Sequence, residues 1–237
     1  MRYLLLFCIS LIALPNLALS QSLADFGEMQ SGVGANAISM LLLLTLLSLA
    51  PAIAITITCF PFIVTVLSIL RQSIGLQQSP PNMLIVSLSI FLTWFVMDPV
   101  LTEAWSTAVV PLRDGDITLE QALARGIPPF RAFMEMRVDE GTLQRLSDIA
   151  PNKIQDTERL SVLVPAFMIS EIQRAFEIGF LIALPFLIID LVVSAILMSM
   201  GMMMVPPAVV ALPFKLAFFV VVDGWEMIST ALVRSYQ

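Results

Sequence analysis

Residues 161–222 read SVLVPAFMISEIQRAFEIGFLIALPFLIIDLVVSAILMSMGMMMVPPAVVALPFKLAFFVVV. This stretch is apolar almost throughout, and residues 191–214 contain no charged side chain. A helix needs about 20 consecutive apolar residues to cross a bilayer, so the stretch is long enough for two such helices. Glycine and proline at Gly201–Pro207 predict a tight turn between them. The sequence therefore predicts an apolar helical hairpin over residues 161–237.

Two more charge-free runs lie earlier in the chain, at residues 29–70 and 72–97. They predict a first apolar helical hairpin over residues 38–106. We expect Pro51 and Pro61 to interrupt the first of these runs, because proline lacks the backbone donor that a helix uses. Freed carbonyls in lipid need other partners, so this block is expected to pack inside a protein complex.

Residues 107–160 differ from both hairpins because they contain many acidic and basic side chains. They predict a small, water-facing helical insert. Thr118 and Gln121 have the spacing of a capping box at the start of its first helix. The Gly126–Pro129 segment is expected to break that helix.

The first 20 residues, MRYLLLFCISLIALPNLALS, have the layout of a secretory signal peptide. Arg2 supplies the positive start, a short apolar stretch follows, and small residues precede a predicted cleavage after Ser20. Residues 21–37 then form a short N-terminal segment. An uncleaved first helix is the alternative, but Pro15 and the shortness of the apolar stretch disfavour it. An exported N-terminus would place the insert and the C-terminal end outside the cytoplasm.

The composition agrees with a membrane protein. Of the 237 residues, 58% are hydrophobic and 13% are charged, whereas soluble domains have roughly 45–50% and 25%. We therefore predict an all-α, integral-membrane-type protein of two kinked helical hairpins with the insert between them.

The sequence lacks the residues and motifs that several kinds of chemistry require. There is no histidine, which is the commonest metal ligand and general base near neutral pH. No nucleotide-binding loop occurs, and no basic stripe suggests nucleic-acid binding. We expect no catalytic residue, no metal site and no cofactor.

One group of charges lies inside the second hairpin, at Glu171, Arg174 and Glu177. Residues three apart are neighbours on one side of a helix, so Arg174 can contact both glutamates. This arc is either a solvated first turn outside the membrane or a contact with another subunit. One arginine between two glutamates leaves an acid in surplus, which a base on a neighbouring copy would satisfy.

Asp190, Lys215 and Asp223 are each isolated in strongly apolar surroundings. An unpaired charge there is costly, so we expect each to pair within the chain or between copies. A proton relay through Asp190 or Asp223 is the alternative.

The predicted turn of the second hairpin is rich in methionine, with Met202, Met203 and Met204 in succession. Methionine is flexible and fills irregular gaps, so these side chains are either lipid-facing filler or the soft constriction of a pore.

Three ordered motifs in the second hairpin resemble the FliP proteins of the bacterial flagellar type III export apparatus and the related injectisome SctR group. They are PAFMISEIQRAFEIGF (165–180), PFLIIDLVVSAILMSMGMMMVPP (185–207) and LPFKLAFFVVVDGW (212–225). Residues 51–97 are similar to the same family, so the resemblance covers most of the chain after residue 38.

The resemblance implies a core subunit of the flagellar export gate in the basal body. It implies a pentameric homo-oligomer that forms, with FliQ- and FliR-like partners, the channel for unfolded export substrates, beside FlhA- and FlhB-like components. It implies a location in the inner membrane and on its periplasmic face. It also places a methionine constriction at Met202, Met203 and Met204, and assembly roles at the charged residues of the motifs.

Two alternatives stay open at this point. An injectisome gate subunit would share the motifs, although the signal peptide and the insert favour the flagellar branch. A polytopic small-solute transporter would need polar residues facing a cavity at mid-membrane, for which Asp190 is the obvious candidate.

Overall fold

A computed structural model of the chain describes residues 33–76, 80–150, 160–202 and 204–236. All regular structure in these ranges is helical, so the prediction of an all-α fold is confirmed. The predicted signal peptide and most of the predicted segment 21–37 lie outside the described residues. The helices are α1 (Val33–Thr56), α2 (Phe60–Ile74), α3 (Asn82–Ala104), α4 (Val110–Asp114), α5 (Leu119–Arg137), α6 (Glu140–Ile149), α7 (Leu160–Ser199), α8 (Pro207–Val221) and α9 (Gly224–Arg234), with a π-helical turn at Trp105–Val109 between α3 and α4.

The chain divides into two compact units, Met1–Pro51 and Ala52–Gln237. The described part of the first unit is the charge-free beginning of α1, whose leucine and alanine residues are strong helix formers. The expectation that Pro51 interrupts this block is wrong, because Pro51 lies inside α1. Pro61 instead occupies the first turn of α2, where the missing N–H has no helical partner to lose.

In the second unit, α2 packs lengthwise against α7, and this contact forms the centre of the core. Small residues on α7 make the close approach possible. Ala175 is fully buried, and a Cβ added to Gly179 would come within 2.5 Å of Ile69 Cδ1. The pair is a small-residue motif at spacing four, which lets two helix backbones approach closely.

The insert is helical as predicted, and its first helix begins with the predicted capping box. The Thr118 hydroxyl accepts from the Gln121 backbone N–H, and the Gln121 side chain accepts from the Thr118 N–H. Asp139 caps the next helix, since its carboxylate accepts from the backbone N–H and the hydroxyl of Thr142. These two bonds lower the pKa of the Asp139 carboxyl.

The predicted break at Gly126–Pro129 is wrong, since α5 runs unbroken to Arg137 with both prolines inside it. This part of α5 packs against the π-turn. The Arg125 carbonyl, whose helical donor would be the N–H that Pro129 lacks, lies 3.5 Å from the Thr107 hydroxyl, which donates mainly to the Glu103 carbonyl at 2.8 Å. A Cβ on Gly126 would lie 3.3 Å from that of Ala108, so the glycine allows this close packing.

Two continuous helical stretches, Asn82–Asp114 and Leu160–Ser199, are long and apolar enough to span a membrane. The pair α8 and α9 forms a third candidate, bent by 61°. The 40 residues of α7 extend about 60 Å at 1.5 Å per residue. A bilayer core is only about 30 Å thick, so part of α7 must lie outside it.

Candidate functional site

Two charge clusters and the methionine turn follow one another along α7. Glu171 and Asp190 are 19 positions apart, which corresponds to about 28 Å along the helix axis. The Glu171 cluster faces the insert, and the Asp190 cluster faces α8. The turn with Met202 and Met204 follows the end of α7.

Glu171 is completely buried, with 0% of its side chain exposed. Its main ionic partner is Arg137 at the end of α5, whose Nε lies 3.3 Å from Glu171 Oε1. The Tyr236 hydroxyl donates a hydrogen bond to the other carboxylate oxygen. Arg174, which the sequence analysis paired with Glu171, is more exposed and lies farther away, with Nη1 4.0 Å from Oε1.

Arg137 and Tyr236 were not among the functional residues predicted from the sequence. A signal for Arg137 was present, because it follows Phe130, Phe133 and Met134 at the spacing of one helix face. A basic side chain on the buried apolar face of a helix needs an acidic partner in the core. Tyr236 gave no comparable signal, since nothing in its local sequence distinguishes it.

Glu177, the third member of the predicted arc, is exposed and accepts a hydrogen bond from Gln173 Nε2 at 3.1 Å. It forms no ion pair with Arg174 within the described ranges. The structure thus places Glu171 inside the core and leaves Arg174 and Glu177 at the surface of the chain. Their role at a subunit contact stays a prediction.

Asp190 and Lys215 form an ion pair within the chain, with Lys215 Nζ 2.6 Å from Asp190 Oδ2. Lys215 is buried, and its ammonium also donates to the Ser73 carbonyl at 3.0 Å. Ser73 lies in the last turn of α2, where carbonyls carry the negative end of the helix dipole. One ammonium group therefore joins α2, α7 and α8.

The spacing of Asp190 and Lys215 about the methionine turn also indicates this pairing. Asp190 stands 12 positions before Met202, and Lys215 stands 12 positions after Met203. Residues at equal distances from the turn of an antiparallel hairpin lie opposite each other. The geometry of the hairpin therefore favours pairing of Asp190 with Lys215 of the same chain.

Asp223 differs from the other charges of the motifs because it is exposed. It has left-handed backbone angles, φ 48° and ψ 47°, at the bend between α8 and α9. A Cβ on the following residue, Gly224, would come within 2.1 Å of the Phe219 ring. Asp223 has no ion pair in the part of the chain that the structure describes, so the expected partner was not found and its pairing stays a prediction.

Gly201 sets the direction of the methionine turn. Its φ of 73° is in the left-handed region, which glycine adopts without strain. The Gly201 amide donates to the Met198 carbonyl at 3.1 Å, and the Met202 amide donates to the Leu197 carbonyl at 3.0 Å. These two hydrogen bonds cap the C-terminal end of α7. Met202 is 39% exposed and Met204 is 97% exposed, while Met203 lies outside the described residues.

Metal binding has no support in the described ranges, where no group of three or more cysteine and acidic side chains could hold an ion. The one described cysteine, Cys59, is a buried free thiol.

The Asp190–Lys215 pair predicts unequal effects of single and double substitutions. Lys215→Met leaves a carboxylate and the Ser73 carbonyl without their donor, and we expect it to lower the free energy of unfolding by roughly 2–4 kcal/mol. Asp190→Asn should cost at least as much, because it leaves the Lys215 ammonium, whose side chain is only 8% exposed, without a counter-ion. Thermal unfolding of the full chain in detergent measures both changes.

The double variant Lys215→Met with Asp190→Asn serves as the control for this pair. It removes both charges, so it should unfold at a higher temperature than Lys215→Met alone. A double variant that is less stable than either single variant would contradict a direct ionic contact.

Known proteins resemble this chain over the helices described above. The profile of the FliP family matches residues 43–232. The chain is 50% identical over 183 residues to the flagellar biosynthetic protein FliP of Caulobacter vibrioides, covering 76% of this chain and 69% of the relative. It is 45% identical over 234 residues to the protein of the same name from Agrobacterium fabrum, and this match covers 95% of this chain and 96% of the relative. The resemblance inferred from the three motifs is therefore confirmed, and the chain belongs to the FliP family.

Proposed function

We propose that this chain is a core subunit of the flagellar type III export gate and that, with FliQ- and FliR-like partners, it forms a channel for unfolded flagellar proteins. The observation that carries the proposal is the family match over residues 43–232, which includes both charge clusters and the methionine turn. The relative from Agrobacterium fabrum, named flagellar biosynthetic protein FliP, matches over 95% of this chain and 96% of its own length. The chain acts by forming a passage and carries out no reaction itself.

The exposed surface of α7 supports an oligomer. Large apolar side chains form a continuous stripe along it at spacings of three and four, which is one helix face. They are Phe176, Phe180, Leu184, Leu187 and Leu191. Such a stripe fits the apolar face of a neighbouring helix, and the family resemblance suggests a pentamer in which neighbouring copies and FliQ- and FliR-like subunits pack there. FlhA- and FlhB-like components would deliver the substrates.

The exposed charges fit the same assembly. Asp223 and Glu226 line adjoining cavities of about 610 and 650 Å³ at the bend between α8 and α9. Neither forms an ion pair within the described residues. A lysine or arginine of a neighbouring subunit would neutralise them, and Glu177 and Arg174 offer a second polar contact on α7.

The two other functions considered have less support. A solute transporter would use Asp190 to coordinate its substrate, but Lys215 already binds one of its carboxylate oxygens. An injectisome subunit would share the fold, but the relatives compared above are named as flagellar proteins.

The first prediction concerns export. Deletion of the gene should remove hook and filament proteins from the culture supernatant, while general secretion continues, because these proteins would lose the channel proposed for them. Immunoblots of the supernatant and of whole cells measure this, and a plasmid copy of the gene is the control that restores export. Normal amounts of hook and filament protein in the deletion strain would refute the flagellar assignment.

A second prediction concerns the methionine turn, which we propose seals the channel. Replacing Met202, Met203 and Met204 with alanine should raise the leakage of ions through the assembled complex, because alanine leaves the constriction open. Conductance of cells or of the reconstituted complex measures the leak.

Met136→Ala is the matched control, since Met136 is 79% exposed but lies in the insert. It should leave conductance unchanged. If the triple variant assembles and its conductance equals that of Met136→Ala, the seal lies elsewhere.

A third prediction concerns location. We propose that the chain lies in the inner membrane and on its periplasmic face in the basal body, after removal of a signal peptide. The mature protein should then begin at Gln21, which N-terminal sequencing of membrane-extracted protein determines. A mature chain that retains Arg2 would show that the first segment is not cleaved.

A further inference from the structure

Ser235 and Tyr236 follow α9, and Tyr236 packs against the core of the second unit. The Tyr236 hydroxyl donates to Glu171 Oε2, although the two residues are 65 positions apart. The Ser235 carbonyl accepts from Arg137 Nη1 at 2.7 Å. Ser235 and Tyr236 thus contact both members of the buried ion pair, and we refer to these two residues as the clasp.

The Tyr236 ring is enclosed by side chains from several helices. The Arg137 guanidinium carbon lies 4.0 Å above its centre, a distance at which a cation is attracted to the ring face. Phe133 of α5 stacks on the ring with centroids 6.1 Å apart, and Phe62 of α2 meets it edge-on at 5.4 Å. The clasp therefore connects α2, α5 and α7 to the end of α9.

The hydroxyl group of Tyr236 has a separate task from the ring. Glu171 has no exposure to water, and its carboxylate needs donors inside the protein. Arg137 binds one carboxylate oxygen and Tyr236 binds the other. Burial and the nearby Glu171 raise the pKa of the Tyr236 phenol above its usual range, so the hydroxyl keeps its proton and remains a donor.

We propose that Tyr236 is a positioning residue, which fixes the Glu171 carboxylate against Arg137 and thereby locks the insert to α7 and α9. A phenylalanine would fill the same space and stack equally well. What distinguishes tyrosine at this position is the hydrogen bond to a fully buried charge. The clasp belongs to the single chain and does not depend on the proposed export function.

Cys59 provides a reporter next to the clasp. It is fully buried in the same core cluster as Phe62 and Phe133. Burial is the main cause that raises the pKa of its thiol to about 12, and the Glu171 carboxylate adds to it. The thiolate is the nucleophile that attacks an alkylating reagent, so Cys59 should react only when this part of the core opens.

The experiment measures the alkylation rate of Cys59 by a maleimide in the full chain, in detergent and under native conditions. Cys8, the one other cysteine, is replaced by serine in every variant. Tyr236→Phe should raise the rate roughly 10- to 100-fold, which corresponds to the loss of a hydrogen bond to a charged group. Ser235→Ala is the matched control, because Arg137 binds the backbone carbonyl of Ser235 and not its side chain; it should leave the rate unchanged.

A double-mutant cycle separates positioning from packing. If Tyr236 acts through Glu171, Tyr236→Phe should have a much smaller effect in a Glu171→Gln background than in the wild type. Glu171→Met, which also removes the carboxylate, replaces Glu171→Gln in the cycle if the glutamine variant does not accumulate. Two results would overturn the proposal: a wild-type rate for Tyr236→Phe, or a full effect of Tyr236→Phe in both backgrounds. Because no readout involves export, this result is independent of whether the export function holds.

Discussion

The structure depends on the neutralisation of charges carried by one long apolar helix. A buried carboxylate without a partner costs several kcal/mol, and α7 carries one that is fully enclosed and a second that is partly enclosed. Neither has its nearest ionic partner on α7 itself, because Arg174 lies farther from Glu171 than Arg137 does. Glu171 requires a base from the insert and Asp190 requires one from α8, so these requirements decide which elements pack on α7. The apolar contacts of α7 with α2 then fill the space between the two clusters.

The two clusters differ in how completely they are satisfied. Both oxygens of Glu171 have donors, and Glu171 is closed off from water. Asp190 has a donor for one oxygen, while Oδ1 is buried and lacks a partner among the described residues. The first cluster therefore acts as a fixed joint between the insert and α7. The second cluster leaves one acceptor, Asp190 Oδ1, without a donor among the described residues. It lies on α7, on which neighbouring subunits are proposed to pack.

Local features of the sequence predicted local features of the structure. Charge-free runs and turn residues indicated apolar helices, and the spacing of Thr118 and Gln121 indicated a cap that the structure contains. Features that depend on distant residues were not predictable in the same way. The continuous helix α5 packs closely on the π-turn at Gly126, and the partners of Glu171 come from positions 34 and 65 residues away. The Asp190–Lys215 pair is an intermediate case, because the symmetry of the hairpin about its turn was enough to identify it.

The neutralised charges also limit how the proposed subunits could recognise one another. Since Glu171, Asp190 and Lys215 are used within the chain, contacts with other subunits would use exposed charges such as Asp98, Glu103 and Asp223. The larger part of the exposed surface of α7 is a stripe of aromatic and aliphatic side chains. Between apolar helices in a membrane, association rests on close packing and not on the release of water. Shape should therefore decide which helix packs on the stripe, and the few unpaired charges should fix its register. This division of roles suits the proposed channel, which would have to stay assembled while unfolded chains of differing sequence pass through it.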